Sequence, residues 1–165
     1  MPRSFEALLA QLDDESRSMA QAIATRRPDL TSAMEADPEH PSRLRLLLPS
    51  PTGESSRDVL VWMRDDEPSL GFGPWHTHAT VWAHFAEPRE QDEALAELLL
   101  AILEDQLVIC VDVGGPHDGS AGVIDLREPT AITDALTEPG GSGHVRLLSW
   151  GGTKDAEHRL DDGQP

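Results

Sequence analysis

The strongest constraint on the fold is a helix-forming segment that leads directly into an apolar strand, residues 87–113. Pro88 suits the first turn of a helix, and the acidic residues that follow it favour the positive end of the helix dipole. The strand "QLVICVDV" (Gln106–Val113) is apolar on both faces, which predicts a central position in a sheet. The helix has an apolar stripe formed by Leu95, Leu98, Leu99, Ile102 and Leu103.

The rest of the chain adds a second long helix and several strands. A helix is predicted from Ser4 to about Arg26, and "VLVWMR" (Val59–Arg64) predicts another central strand. Further strands are predicted in "RLRLLLPS", "SAGVIDL" and "HVRLLSW", with a short helix in "PTAITDALT". Runs of strands joined by short turns favour an α+β fold, with an antiparallel or mixed sheet and two main helices packed on it. We expect a single domain over residues 1–150 and a flexible polar tail over residues 151–165.

Charge is the strongest compositional signal. Thirty acidic residues against 13 basic ones give a net charge of −17. A field of that sign repels nucleic acid and anionic membranes and attracts basic proteins. We therefore expect a basic protein partner, and no binding to nucleic acid or membranes. An acidic surface also serves solubility alone, so charge by itself does not decide between these roles.

The compartment is predicted from three further features. The start of the chain has acidic residues where a signal peptide would be apolar, and the longest apolar run, Leu98–Leu103, is far shorter than the roughly 18 residues of a membrane span. Cys110 is the single cysteine, which excludes an intramolecular disulfide. We expect a cytoplasmic location, with Cys110 as an unreactive core residue.

Acidic residues in a turn and on the second long helix are the candidates for contact with a basic partner, together with one tryptophan near the turn. These residues are Asp65, Asp66, Glu67, Trp75, Glu90, Asp92, Glu93 and Glu97.

Histidines are concentrated in "GFGPWHTHATVWAHF", residues 71–85. If Trp75–Phe85 is extended, a period of two places His76, His78, Thr80, Trp82 and His84 on one face. A His-x-His pair on a strand is a spacing that zinc sites use for two of their ligands. The best candidates for a third ligand are Asp112, His117 and Asp118. The pair also fits a purely structural role in a hydrogen-bonded sheet face, and both interpretations stay open.

The segment "GPWHTH" resembles the centre of the JAMM metallopeptidase motif, in which a Gly-x-x-His-Ser/Thr-His turn supplies two zinc ligands. The resemblance implies a metal-dependent hydrolase that uses His76 and His78 as ligands. For such an enzyme, the candidates for the water-activating base are Glu87 and Asp92. The sequence departs from the motif, because Ala79 replaces the proline. Ala86 and Arg89 stand where the family has a serine and an aspartate ligand.

A longer region, Leu70–Val113, resembles small acidic immunity proteins of bacterial polymorphic toxin systems. There, a strand that ends in an aromatic-His-Thr-His segment precedes an acidic amphipathic helix and an apolar strand. This resemblance implies a protein that binds and neutralises a basic toxin. Such a protein has no catalytic activity and needs no cofactor. It is the favoured functional hypothesis, and the zinc hydrolase is the alternative.

Overall fold

The computed structural model describes residues 4–64, 67–81 and 91–160. It confirms the α+β class, with two antiparallel sheets and two main helices packed on them. The α-helices that lie wholly within these residues are α1 (Phe5–Leu9), α2 (Asp14–Arg26), α3 (Gln91–Leu103) and α4 (Ala131–Leu136), and α2 and α3 are the two main ones. Short 3-10 helices cover Pro28–Ala33 and Ser55–Arg57.

The first sheet is an antiparallel meander in which each strand pairs with the next along the chain. Its middle strand is the predicted central strand. In the second strand, Leu44, Leu46 and Leu48 are buried while the residues between them are half-buried or exposed, as the alternation predicts. The strands are β1 (Met34–Ala36), β2 (Leu44–Leu48), β3 (Val59–Arg64), β4 (Glu67–Phe72) and β5 (Trp75–His78).

The second sheet has the order β7-β6-β8-β9, and all its pairs are antiparallel. The apolar strand β6 therefore has an interior position, as its sequence predicts. The strands are β6 (Leu107–Asp112), β7 (Ala121–Asp125), β8 (His144–Leu148) and β9 (Ala156–Arg159).

The first predicted helix is two helices. The chain starts a new helix after Asp13, because the Asp13 side chain accepts a hydrogen bond from the Ser16 N–H (2.9 Å) and caps the N-terminus of α2. Arg17 then donates to the carbonyl oxygens of Leu9 (2.9 Å) and Leu12 (2.6 Å), at and beyond the end of α1. The predicted single helix from Ser4 to Arg26 is wrong at this point, since local side-chain capping outweighs the continuous apolar stripe.

One hydrophobic core connects the two sheets. Helices α2 and α3 pack against each other, and the buried residues of both join those of the first sheet. Leu107 and Ile109 of β6 belong to the same core, so one face of the second sheet is also covered. The opposite face carries a separate small cluster of Val108, Cys110, Val145 and Leu147, against which α4 packs.

A buried arginine fastens a loop of the first sheet to a loop of the second. Arg57 is 5% exposed and donates to Asp155 (2.6 Å), to the Ser149 carbonyl (3.2 Å) and to Glu54 (2.9 Å). Burial alone would raise the pKa of Asp155, but hydrogen bonds from the Ser149 N–H and from Arg57 outweigh it and lower that pKa. The guanidinium therefore has a carboxylate from each loop.

The segment predicted to be a flexible tail contains ordered structure in the residues described. β9 pairs with β8 over Ala156–Arg159, and the turn before it is bound by Asp105, which accepts from the Gly151 N–H (2.7 Å) and the Thr153 N–H (3.3 Å). The predicted boundary between domain and tail at residue 150 was therefore wrong. It was based on the polar composition of the segment, which does not show that Asp105, far away in the sequence, binds the turn. Residues 161–165 lie outside the described part of the chain.

We predict that Arg57→Met lowers the free energy of unfolding by about 3 kcal/mol, because it leaves two carboxylates without their buried cation. Arg45→Met is the matched control: Arg45 is one-third exposed and pairs with Glu35 (3.1 Å), and an exposed pair contributes about 0–1 kcal/mol. Urea unfolding of both variants measures the difference. Equal losses would show that Arg57 does not fasten the loops.

The lowered pKa of Asp155 also predicts the acid limit of stability. The stabilisation is present above the unfolded pKa, about 3.9, and is lost as pH falls through the lower folded pKa. We expect Asp155→Asn to reduce stability at pH 7 and to flatten its fall below about pH 4. The measurement is urea unfolding from pH 2.5 to pH 7; an unchanged acid slope would contradict the assignment.

Candidate binding surface

The two histidines of "WHTH" occupy the outer face of β5, at one edge of the first sheet. Thr77 between them is buried, whereas His76 is exposed and His78 is half-buried, so the predicted alternation holds over β5. The imidazole centroids are 5.9 Å apart, with ring planes at 83°. Residues 79–81 are helical, so Thr80 does not continue this face as predicted. Trp82, His84 and Phe85 lie outside the described residues.

His78 has hydrogen-bonding partners within the sheet. Its Nδ1 lies 2.8 Å from the hydroxyl of Ser69, which is fully buried, and 4.0 Å from a carboxylate oxygen of Glu67. Glu67 in turn accepts from the Thr80 N–H (3.1 Å) and from the Thr80 hydroxyl, and that hydroxyl is the main reason its pKa is lowered. These contacts join β4, β5 and the helical residues that follow β5.

The predicted metal ligands lie in two different places. His76 lines a shallow cavity on the first sheet with Trp62 and Trp75, while Asp112 and His117 line a cavity on the second sheet. Within residues 4–64, 67–81 and 91–160, no group of three histidine, cysteine or acidic residues is arranged to hold a metal ion. The described residues therefore do not form the predicted zinc site, in which His76 and His78 would be joined by Asp112 or His117.

Apart from Glu67, whose contacts with Thr80 and His78 are given above, the predicted partner-binding residues divide into three groups. Asp65, Asp66 and Glu90 lie outside the described residues, as does Glu87, a predicted base of the zinc hydrolase. Asp92 accepts from Ser18 and Glu97 lies 3.6 Å from Arg26, so both join α3 to α2. Glu93 is exposed on α3, while Trp75 is partly buried against the large core.

A cavity of about 860 Å³ lies between α4 and the outer face of the second sheet. Sequence reasoning did not find it, although it had identified three of its residues, Cys110, Asp112 and His117. The floor is apolar: Cys110 and Val145 are buried, and Ile124 packs against the same small cluster. Gly122 lies opposite Cys110 in the β6–β7 register, and a Cβ added there would have no atom within 4 Å. The floor is open at this glycine.

The wall of this cavity is strongly acidic. Its lining includes no arginine or lysine from the described residues. The hydroxyl of Ser142 donates to Asp112 (2.5 Å) and lowers its pKa, while Arg127 pairs with Asp125 (2.5 Å) from outside the lining and lowers the pKa of that carboxyl. The carboxylates of the lining are Asp112, Asp125, Glu128, Asp134 and Glu138, and we call this space the α4 cavity.

Cys110, on the floor of the α4 cavity, carries a thiol, which is nucleophilic only in its thiolate form. Burial raises the pKa of its thiol, and the negative charges of Asp112 and Glu138 raise it further. The thiol is therefore protonated at neutral pH, and a protonated thiol is a poor nucleophile. The structure confirms that Cys110 is buried, and the raised pKa agrees in direction with the prediction that the thiol is unreactive.

No protein-family model, curated protein or solved structure matches this chain. Among the described residues, no helix is long and apolar enough to cross a membrane.

The contacts of the histidines lead to a test of the structural role against the metal role. We predict that His78→Ala lowers stability by about 1–2 kcal/mol, because the buried Ser69 hydroxyl loses its closest partner. His76→Ala, at the exposed neighbouring position, is expected to change stability by less than about 0.5 kcal/mol. The measurement is thermal unfolding of untagged protein with and without a chelator. If both variants and the chelator lowered the melting temperature to the same extent, the pair would hold a metal ion.

Proposed function

We propose that this protein binds a basic protein partner and inhibits it, without catalysing a reaction. The observation that carries the proposal is the α4 cavity, in which five carboxylates surround an apolar floor and no arginine or lysine of the described chain joins the lining. A partner that brings cationic groups supplies the charge that this surface lacks.

The pairing of the chain's own arginines supports the same proposal. Most of the arginines in the described residues are already matched to nearby carboxylates, so they do little to neutralise the remaining acidic surface. The pairs are Arg17–Asp14, Arg26–Glu97, Arg27–Asp29, Arg45–Glu35, Arg57–Asp155, Arg127–Asp125 and Arg159–Glu157. With a net charge of −17, the molecule attracts cationic proteins at long range and accelerates their association.

The chemistry of the α4 cavity favours binding over catalysis. The thiol of Cys110 is held in its protonated form, and the lowered pKa values of Asp112 and Asp125 leave these carboxyls ionised at neutral pH, without a proton to donate. Such groups attract and orient a cation. The proposal is also motivated by the resemblance of Leu70–Val113 to immunity proteins, which implies an inhibitor that acts by occupying a surface of its toxin.

We predict that the protein captures a basic protein from lysate of the producing cell, and that the purified pair dissociates as salt rises. Screening weakens contacts between exposed charges, so we expect at least a tenfold increase in Kd between 50 mM and 300 mM salt, or about 1.4 kcal/mol. Capture followed by calorimetry on the purified pair makes the measurement.

The control for this experiment is a variant in which three acidic residues outside the lining of the α4 cavity are neutralised, Glu6→Gln, Glu15→Gln and Glu39→Gln. All three residues are exposed, and the variant should retain most of the affinity for the partner. An acidic or neutral partner, or an affinity that salt does not change, would contradict the proposed function.

A further inference from the structure

We propose that the α4 cavity binds a short segment of the partner that carries arginine or lysine, with the aliphatic part of the side chain on the apolar floor and the cationic end among the carboxylates. This inference rests on the proposed function, and it adds the site, the chemistry of the recognised group and the residue that keeps the floor open.

The size of the cavity suits a few side chains. At about 860 Å³ it lies within the range of roughly 300–1,000 Å³ that ligand-binding sites occupy. α4 has no buried residue of its own, and its apolar side chains Ile132, Ala135 and Leu136 are only partly buried against the small cluster. The helix therefore leaves part of the apolar sheet face for a ligand to cover.

Gly122 keeps the floor accessible. It lies in β7 opposite Cys110, its backbone does not have the positive φ that restricts other glycines here, and an added Cβ would have open space around it. A larger side chain at this position therefore fits the strand and extends into the α4 cavity. A glycine inside a strand usually weakens it, so the open space is kept at a cost in stability.

The surroundings of the floor decide which ligand fits. The carboxylates of Glu128 and Glu138 have no arginine or lysine within salt-bridge distance in the described part of the chain, and the Asp134 carboxylate accepts a hydrogen bond from the Thr130 hydroxyl (2.8 Å). Arginine and lysine combine a long aliphatic stem with a terminal cation, and this combination matches an apolar floor inside an acidic wall. An acidic segment would be repelled, and an uncharged one would leave the carboxylates unmatched.

The first test uses a defined probe and the full chain. The probe is a six-residue peptide that alternates leucine and arginine and has blocked ends; the control peptide has citrulline in place of arginine, which keeps the shape and removes the charge. We expect the arginine peptide to shift the backbone amide signals of Ala121–Asp125 and Ala131–Leu136, and the citrulline peptide to bind at least tenfold more weakly. Shifts centred on α3 instead, or equal binding of both peptides, would overturn the inference.

The second test uses variants of the α4 cavity. Gly122→Leu is expected to fold with an unchanged or higher melting temperature and to lose at least tenfold in affinity for the arginine peptide, because the new side chain occupies the floor. The triple variant Glu128→Gln, Asp134→Asn and Glu138→Gln should weaken binding to a similar extent. The triple at Glu6, Glu15 and Glu39 removes the same charge elsewhere and should retain most of the affinity. Full affinity in a well-folded Gly122→Leu protein would overturn the inference.

Measurements with the captured partner separate this inference from the proposed function. If the partner is basic and its binding is salt-sensitive, but Gly122→Leu binds it as tightly as the original protein, the proposed function stands and the cavity assignment is wrong. If no basic partner is captured while the arginine peptide occupies the α4 cavity, the proposed function is wrong. The result would then support only the claim that the α4 cavity binds a segment with arginine or lysine.

Discussion

The buried guanidinium of Arg57 fastens a loop of the first sheet to a loop of the second sheet. A cation that is 5% exposed requires partners on every side, and Arg57 finds them in Glu54 of its own loop and in Asp155 and the Ser149 carbonyl of the second sheet. Burial by itself would lower the pKa of Arg57, but Asp155 and Glu54 outweigh this effect and raise it. Asp155, which also accepts from the Ser149 N–H, directly precedes β9, the fourth strand of the second sheet, so the contact with Arg57 lies next to the β8–β9 pairing.

The α4 cavity follows from how the second sheet is covered. Strand β6 is apolar on both faces, so both faces need cover. Leu107 and Ile109 join the core with α2 and α3, which leaves the opposite face to α4, a helix of six residues. A helix so short does not seal a four-stranded sheet, and Gly122 widens the gap beneath it. The carboxylates around the gap repel one another, and this repulsion costs stability unless a cation relieves it.

The sequence correctly predicted the helices and strands whose apolar residues recur with a strong period. Its predictions failed where the structure depends on a capping side chain or on contacts with residues far away in the sequence. The apolar stripe of α3, the alternation in β2 and β5, and the interior positions of β3 and β6 all agree with the structure. The first helix was predicted as one piece because its apolar spacing continues across Asp13, where a capping side chain starts a new helix. The tail was misjudged for a different reason: the partners of Asp155 are Arg57 and Ser149, and no local pattern shows the first of them.

The sequence by itself determined the α+β class, the apolar elements and the net charge of −17, because composition and periodicity are local properties. The tertiary structure decided which charges matter together. His76 and His78 were found from their spacing, but only the β4–β5 register places the Ser69 hydroxyl against His78. The α4 cavity brings together residues from β6, β7, α4 and β8, consecutive elements whose lining residues are up to 35 positions apart, from Cys110 to Val145. Such a site has no sequence signature, because it exists only where folding makes distant residues neighbours.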